Sequence, residues 1–165
     1  MPRSRQGWTA RSGVDVGRES FSRGDRLLLI VVLAVAGLAV SAVLAGQWYQ
    51  GASATWCDLS SYFSCSRVRE SPYAAVGGVP TAFLGVTGFG ILAALALLAL
   101  RGRDRIGPWP VDRWIVAFGL IGAGLAAGLT AIEIFVIEAL CILCLAGFLL
   151  DLAILATATL ARSRG

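Results

Sequence analysis

Four cysteines in two pairs are the residues of this 165-residue chain best suited to chemistry by type and spacing. Seven residues separate Cys57 from Cys65, and Cys141 and Cys144 form a Cys-x-x-Cys motif. The chain holds no histidine, which excludes histidine-based acid–base catalysis, a Ser-His-Asp triad, most zinc sites and histidine-ligated haem. The even count and the spacing point to disulfides and thiol–disulfide exchange.

The Cys-x-x-Cys motif falls at the predicted start of an apolar helix. Unpaired backbone N–H groups and the helix dipole stabilise a thiolate there, and the three-residue offset places both sulfurs on nearly the same helix face. Two other interpretations stay open. In the first interpretation, the four cysteines form two purely structural disulfides. In the second, they bind zinc, although their spacing on separate segments fits a zinc site poorly.

The composition indicates a membrane protein. Hydrophobic residues make up 57% of the chain and charged residues only 15%, with a mean hydropathy of +0.76, whereas soluble domains carry about 25% charged residues. Backbone polar groups must be satisfied inside lipid, so the spans should be helices of about 20 residues. We predict an all-α membrane protein, a four-transmembrane-helix bundle with spans at about 27–46, 79–100, 114–137 and 139–160.

The distribution of charge predicts the orientation of these spans. All 14 basic residues are arginines, and twelve of them flank the spans on the side that holds both termini. The positive-inside rule makes that side cytoplasmic, so the cysteines face outward. We expect a disordered basic leader at 1–26, the transmembrane domain at 27–161 and a cytoplasmic tail at 162–165. A cleaved signal peptide in place of the first span fits its length less well.

The position of the cysteines also suggests an electron acceptor. The second pair lies at the membrane boundary, and the chain has no flavin fingerprint and no haem motif. A lipid-soluble quinone is the acceptor already present in a bilayer. We therefore predict a relay from outside thiols through the loop pair and the Cys-x-x-Cys pair to a quinone, through mixed disulfides. No metal, flavin, haem or nucleic acid is expected.

Several short segments resemble the vitamin K epoxide reductase family, and the resemblance covers about residues 26–160. These segments are Trp56-Cys57-Asp58, Cys65-Ser66-Arg67-Val68, Ser71, Gly78-Val79-Pro80 and Cys141-Ile142-Leu143-Cys144. The resemblance implies a four-helix bundle around a quinone pocket. It also implies a cap, formed by the outer loop and a short amphipathic helix near residues 66–76.

The resemblance also implies roles for individual residues. Cys57 and Cys65 would exchange with a thioredoxin-fold partner, Cys141 would trade electrons with this loop pair, and Cys144 would contact the quinone. Ser71 would lie near the quinone ring. Because no thioredoxin-like domain follows the fourth span, we expect the partner to be a separate protein.

Two positions depart from the vertebrate members of the family. Phe148 stands where those enzymes have a tyrosine, and Thr81 stands where they have an asparagine. The tyrosine and asparagine side chains are associated with vitamin K binding in the vertebrate enzymes, and this chain lacks both. Plain quinone reduction is therefore favoured over epoxide reduction. Tyr73 either lines the same pocket or anchors the chain at the membrane interface. Asp58 either shapes the loop and tunes exchange or is an ordinary turn residue.

Acidic residues and glycines in the spans carry further expectations. Asp151 lies at mid-span, where a carboxylate costs roughly 2.5–3.5 kcal/mol, so we expect it to form a structural hydrogen bond to another helix. The alternative role is proton supply to the reduced quinone. Glu133 and Glu138 are expected to be solvated. Four glycines of the third span are expected to allow close packing inside the bundle: Gly119, Gly122, Gly124 and Gly128.

The sequence thus predicts a membrane thiol oxidoreductase that passes electrons to menaquinone, ubiquinone or vitamin K and supports disulfide bond formation. Two alternatives are a vitamin K epoxide reductase of the endoplasmic reticulum membrane and a non-enzymatic, disulfide-stapled scaffold. Usage rich in Arg, Gly and Ala is typical of a GC-rich genome and favours a bacterial plasma membrane. The oligomeric state stays open.

Overall fold

The computed structural model describes residues 22–50 and 56–160. The predicted tail at 162–165 and most of the predicted leader at 1–26 lie outside these ranges. Within these ranges, four helices are long and apolar enough to cross a bilayer, and each falls on one of the predicted spans. The chain is therefore an all-α membrane protein. These helices are α1 (Arg23–Gln50), α3 (Ala82–Leu100), α4 (Val111–Ile132) and α5 (Ile142–Leu160).

The connection between α1 and α3 forms a cap with its own short elements. The predicted amphipathic helix is shorter than its expected range, because Ser71 is extended before Pro72 and the helix ends there. A two-stranded hairpin follows, so α3 begins three residues later than the span predicted from residue 79. The cap elements are α2 (Cys65–Glu70), a 3-10 turn (Pro72–Ala74), β1 (Ala75–Val76) and β2 (Val79–Pro80).

The bundle core forms mainly where α1 packs against α3 and α5. Gly37 of α1 faces the ring of Phe89, and Gly85 of α3 faces the hydroxyl of Ser41, so a side chain at either glycine would collide with its neighbour. Small residues thus let these two helices approach closely. Helices in lipid gain little from the hydrophobic effect when they associate, so close van der Waals packing of this kind is a main stabilising interaction between them.

The packing expectation for the glycines of α4 holds at two of its four positions. Gly119 and Gly122 face Leu155 and Asp151 of α5. Side chains at Gly124 and Gly128 would meet nothing within 4 Å among the described residues. The reason is helical periodicity, since residues three apart share a face whereas Gly124 is rotated away from Gly122.

The two ends of the bundle differ in character. At one end, a short hairpin of β3 (Arg105–Ile106) and β4 (Trp109–Pro110) joins α3 to α4. Arg23 reaches Asp104 at 2.8 Å and Asp112 at 3.5 Å there. These pairs are about half exposed, so they add at most about 1 kcal/mol. The opposite end, called the cysteine end below, holds the cap and the connection from α4 to α5.

Candidate functional site

Backbone hydrogen bonds join the cap to the segment that precedes α5. Leu140 N–H donates to the carbonyl oxygen of Tyr62 at 2.8 Å, and Ser64 N–H donates to the carbonyl oxygen of Leu140 at 3.1 Å. Phe63 and Leu140 thereby form a parallel bridge. Because Cys65 and Cys141 follow this bridge by two residues and one residue, it brings the two cysteine segments together at one point.

The two cysteine pairs meet within the bundle. Cys57 and Cys65 form a disulfide, while Cys141 and Cys144 are thiols. The Sγ atoms of Cys141 and Cys65 are 3.6 Å apart, and Cys57, Cys65 and Cys141 are all buried. A thiolate at this separation is in contact with the disulfide sulfur that it would attack.

Cys141 occupies the position directly before the first residue of α5. The backbone N–H of Cys144 donates to its Sγ at 3.3 Å. The neighbouring Cys144 thiol, helped by backbone N–H groups, lowers the pKa of Cys141 against the opposing effects of burial and the Glu133 charge. The helix start thus favours the reactive thiolate form.

Asp58 holds the disulfide loop to α2. Its carboxylate accepts from the hydroxyl of Ser66 at 2.6 Å and from the backbone N–H of Ser66 at 3.1 Å. The hydrogen bond from the Ser66 side chain lowers the pKa of Asp58. These contacts fix the residue next to Cys57 relative to the residue next to Cys65.

Glu133 is buried, so the expectation that it is solvated is wrong. It is 3% exposed and begins a π-helical turn, Glu133–Ile137, that ends the third span. Its Oε2 accepts from the backbone N–H of Cys141 at 3.1 Å, and this bond compensates for lost hydration. Glu138 is exposed, as expected, with a left-handed φ of 54°.

A cavity of about 220 Å³ opens between the helices at the cysteine end. Cys65, Cys141 and Cys144 line it together with mostly apolar side chains from α1, α3, α4 and α5. This combination of apolar walls and a few polar groups is typical of a small-molecule site. The sulfur pairs therefore border a space that can hold a ligand within the membrane domain.

The structure places three of the four expected quinone contacts in the cavity wall. Ser71, Tyr73 and Thr81 line it, whereas Phe148 is not among the lining residues. The cavity face of α5 carries residues 144, 147 and 151, and position 148 lies beyond its edge. The hydroxyls of Ser71 and Thr81 donate to backbone carbonyls of the cap, at 2.7 and 3.1 Å.

Two other polar side chains in the wall each have one atom without a hydrogen-bond partner among the described residues. Gln47 Nε2 and Asp151 Oδ2 are buried and have no hydrogen-bond partner among the described residues, although both residues line the cavity. The bond to another helix expected for Asp151 is thus not formed by Oδ2. That oxygen would be 2.7 Å from a Cβ placed on Gly122. Gln47 was missed because it lies one residue beyond the predicted first span.

Comparison with known proteins gives one family. Residues 28–159 match the Vitamin K epoxide reductase family. The chain belongs to this family. No match was found among curated proteins. The resemblance inferred from the cysteine segments is confirmed, and membership in this quinone-linked family makes the protein a membrane disulfide oxidoreductase.

Proposed function

We propose that this member of the vitamin K epoxide reductase family transfers two electrons from a thioredoxin-fold dithiol to a quinone. The observation that carries the proposal is the 3.6 Å separation between Cys65 Sγ and Cys141 Sγ at the wall of an apolar cavity. In this scheme the loop disulfide collects the electrons and the Cys-x-x-Cys pair delivers them.

The geometry supports an order for the exchange. A partner thiolate attacks Cys57, because Cys65 faces Cys141. The released Cys65 thiolate attacks Cys141 of an oxidised Cys141–Cys144 pair and displaces Cys144. The second thiolate of the partner then attacks the partner sulfur bonded to Cys57, which oxidises the partner to its disulfide and frees Cys57. The Cys57 thiolate attacks Cys65 and displaces Cys141, so that the loop disulfide forms again. This sequence leaves a loop disulfide and an inner dithiol, the same arrangement of bonds that the structure has. The dithiol then reduces the quinone to a quinol and becomes a disulfide again.

The cavity supports a ligand with carbonyl oxygens. Gln47 Nε2 is a buried donor with no acceptor among the described residues, and leaving such a group unpaired costs about 1–3 kcal/mol. A quinone carbonyl supplies the missing acceptor, and the apolar walls suit the ring. Quinone couples are expected to be more oxidising than the roughly −120 mV of a strong protein oxidant, which sets the direction of electron flow.

The structure of the wall favours plain quinone reduction over epoxide reduction. Thr81 donates its hydroxyl to the carbonyl of Ala74, and Phe148 is outside the lining residues. Neither residue offers a ligand the polar group associated with vitamin K epoxide in the vertebrate enzymes. We therefore place epoxide reduction second.

We propose a bacterial plasma membrane as the location, with the cysteine end outward. Arg101, Arg103, Arg105 and Arg113 lie near the opposite end of the bundle, where Arg23 begins α1. An excess of arginine marks the cytoplasmic side. The partner would then be an extracytoplasmic protein, and the endoplasmic reticulum membrane is the alternative location.

Quinone turnover in vesicles tests the proposal. Purified protein would be supplied with a reduced thioredoxin-fold dithiol protein and a short-tailed benzoquinone, and quinol formation followed by absorbance. We expect turnover by the wild type and none by Cys141→Ser/Cys144→Ser. Equally fast quinone reduction by that double variant would overturn the relay.

A further inference from the structure

The Glu133 carboxyl group lies against both members of the Cys-x-x-Cys pair. Its Oε2 accepts from the backbone N–H of Cys141 at 3.1 Å, and the Sγ of Cys141 accepts in turn from the backbone N–H of Cys144 at 3.3 Å. Glu133 and Cys144 both line the cavity, and Glu133 is 3% exposed. A buried group able to take up a proton therefore lies beside the Cys-x-x-Cys pair in the wall of the ligand site.

The quinone step needs such a group. Closing the disulfide releases two electrons and two protons, and forming a quinol takes up two of each. The chain has no histidine, and the buried carboxyl groups of the described residues are Glu133 and Asp151. Asp151 lies seven residues along α5 from Cys144, about 10 Å by helical rise. Glu133 is therefore the better placed of the two.

We propose that Glu133 is a catalytic residue that carries the proton of Cys144 to a quinone oxygen. The inference rests on the quinone activity proposed above. As the Cys141–Cys144 bond forms, two electrons pass to the ring, and the Cys144 proton moves to the Glu133 carboxylate and on to the oxygen. The Cys141 thiol gives its proton to water when it ionises, and the second quinone oxygen takes one proton from water.

A purely structural role for Glu133 makes a different prediction. In that case the carboxylate only ties the π-helical turn to the start of α5 through the Cys141 N–H. Glu133→Gln keeps an acceptor oxygen for this bond and removes the ability to carry a proton. Glu138→Gln is the matched control, because Glu138 is exposed at the end of the same turn.

The test is a single turnover of reduced protein in vesicles, mixed rapidly with a short-tailed benzoquinone over a range of pH. We expect Glu133→Gln to slow quinol formation roughly 10²-fold and Glu138→Gln to leave it unchanged. The rate of Glu133→Gln should also fall in proportion to proton concentration, since its protons come from solvent. The Cys141 and Cys144 thiols interact electrostatically with Glu133, and Arg69 of α2 lines the same cavity.

The possible outcomes separate the two proposals. If Glu133→Gln reduces quinone as fast as the wild type and with the same pH profile, the role of Glu133 is overturned and the proposed function still stands. A wild type that stays reduced in the presence of quinone overturns both. If Glu133→Gln does not fold, Glu133→Asp decides. A slower rate with the wild-type pH profile supports the proposal, and a rate proportional to proton concentration overturns it.

Discussion

The two loop cysteines differ in what they face. Cys65 Sγ lies 3.6 Å from Cys141 Sγ and is bonded to Cys57 in the loop disulfide. Removing the resolving thiol should therefore trap the exchange. We expect Cys57→Ser to accumulate a Cys65–Cys141 disulfide, detected by mass spectrometry of non-reduced peptides. An equal yield of Cys57–Cys141 disulfide from Cys65→Ser would contradict this assignment.

Gln47 is expected to contribute to ligand affinity. Its Nε2 is buried at the cavity wall without a partner among the described residues, and a hydrogen bond to a ligand oxygen is worth about 0.5–1.5 kcal/mol. Gln47→Leu should raise the KM for quinone several-fold and leave thiol–disulfide exchange intact. Gln50→Leu, at the exposed end of the same helix, is the control and should have the wild-type KM.

Asp58 makes the loop sensitive to acid. The Ser66 hydrogen bond lowers the pKa of Asp58 below its ordinary 3.8, so unfolded chains bind this proton more tightly. The stabilisation is complete above that ordinary value and is lost as pH falls through the lowered pKa. At neutral pH we expect Asp58→Ala to speed amide hydrogen exchange at Ser66. Protection equal to that of the wild type would show that the contact contributes nothing.

At the level of the elements, Gly122 controls how α4 meets α5. A methyl group there would lie 2.7 Å from Asp151 Oδ2, whereas one at Gly124 would meet no neighbour within 4 Å among the described residues. Gly122→Ala should therefore lower the free energy of unfolding by about 1–3 kcal/mol and the melting temperature with it, whereas Gly124→Ala should change neither. Adding Asp151→Ala to Gly122→Ala should restore most of the loss. Equal melting temperatures for both single alanine variants would argue against this packing.

The sequence was sufficient to predict the helices, because runs of about 20 apolar residues have few alternatives in lipid. It was not sufficient to predict their ends at the cap. Val79 and Pro80 look like the start of a span, yet they pair with β1 in a hairpin. Glu133 looked like a solvated helix end, and its burial depends on a bond to Cys141, eight residues away.

The same limit applies to the site. The four cysteines could be identified from the sequence and from the family resemblance. The contact between the two pairs depends on backbone hydrogen bonds of Tyr62 and Ser64 with Leu140, and no periodic sequence pattern predicts such a pairing. The polar lining was harder still. Ser71 and Thr81 donate their hydroxyls within the cap, and only the folded arrangement reveals Gln47 as a buried donor.

For the molecule as a whole, the proposed orientation predicts a labelling pattern. Tyr62 at the cysteine end and Trp109 at the opposite end are comparably exposed, at 42% and 46%. In a cysteine-free background, Tyr62→Cys should react with a membrane-impermeant maleimide in intact spheroplasts. Trp109→Cys should react only after lysis. The reverse pattern would invert the orientation.

The Phe63–Leu140 bridge should make the rate of disulfide exchange independent of bilayer thickness. Both of its hydrogen bonds join the cap to the connection between α4 and α5, outside the four long helices. The contact between Cys65 and Cys141 is therefore set by the cap and not by how far the spans tilt. Helices adapt to thin or thick bilayers by tilting. Disulfide exchange should therefore keep its rate in vesicles of short or long acyl chains, while quinone entry between the helices varies with them.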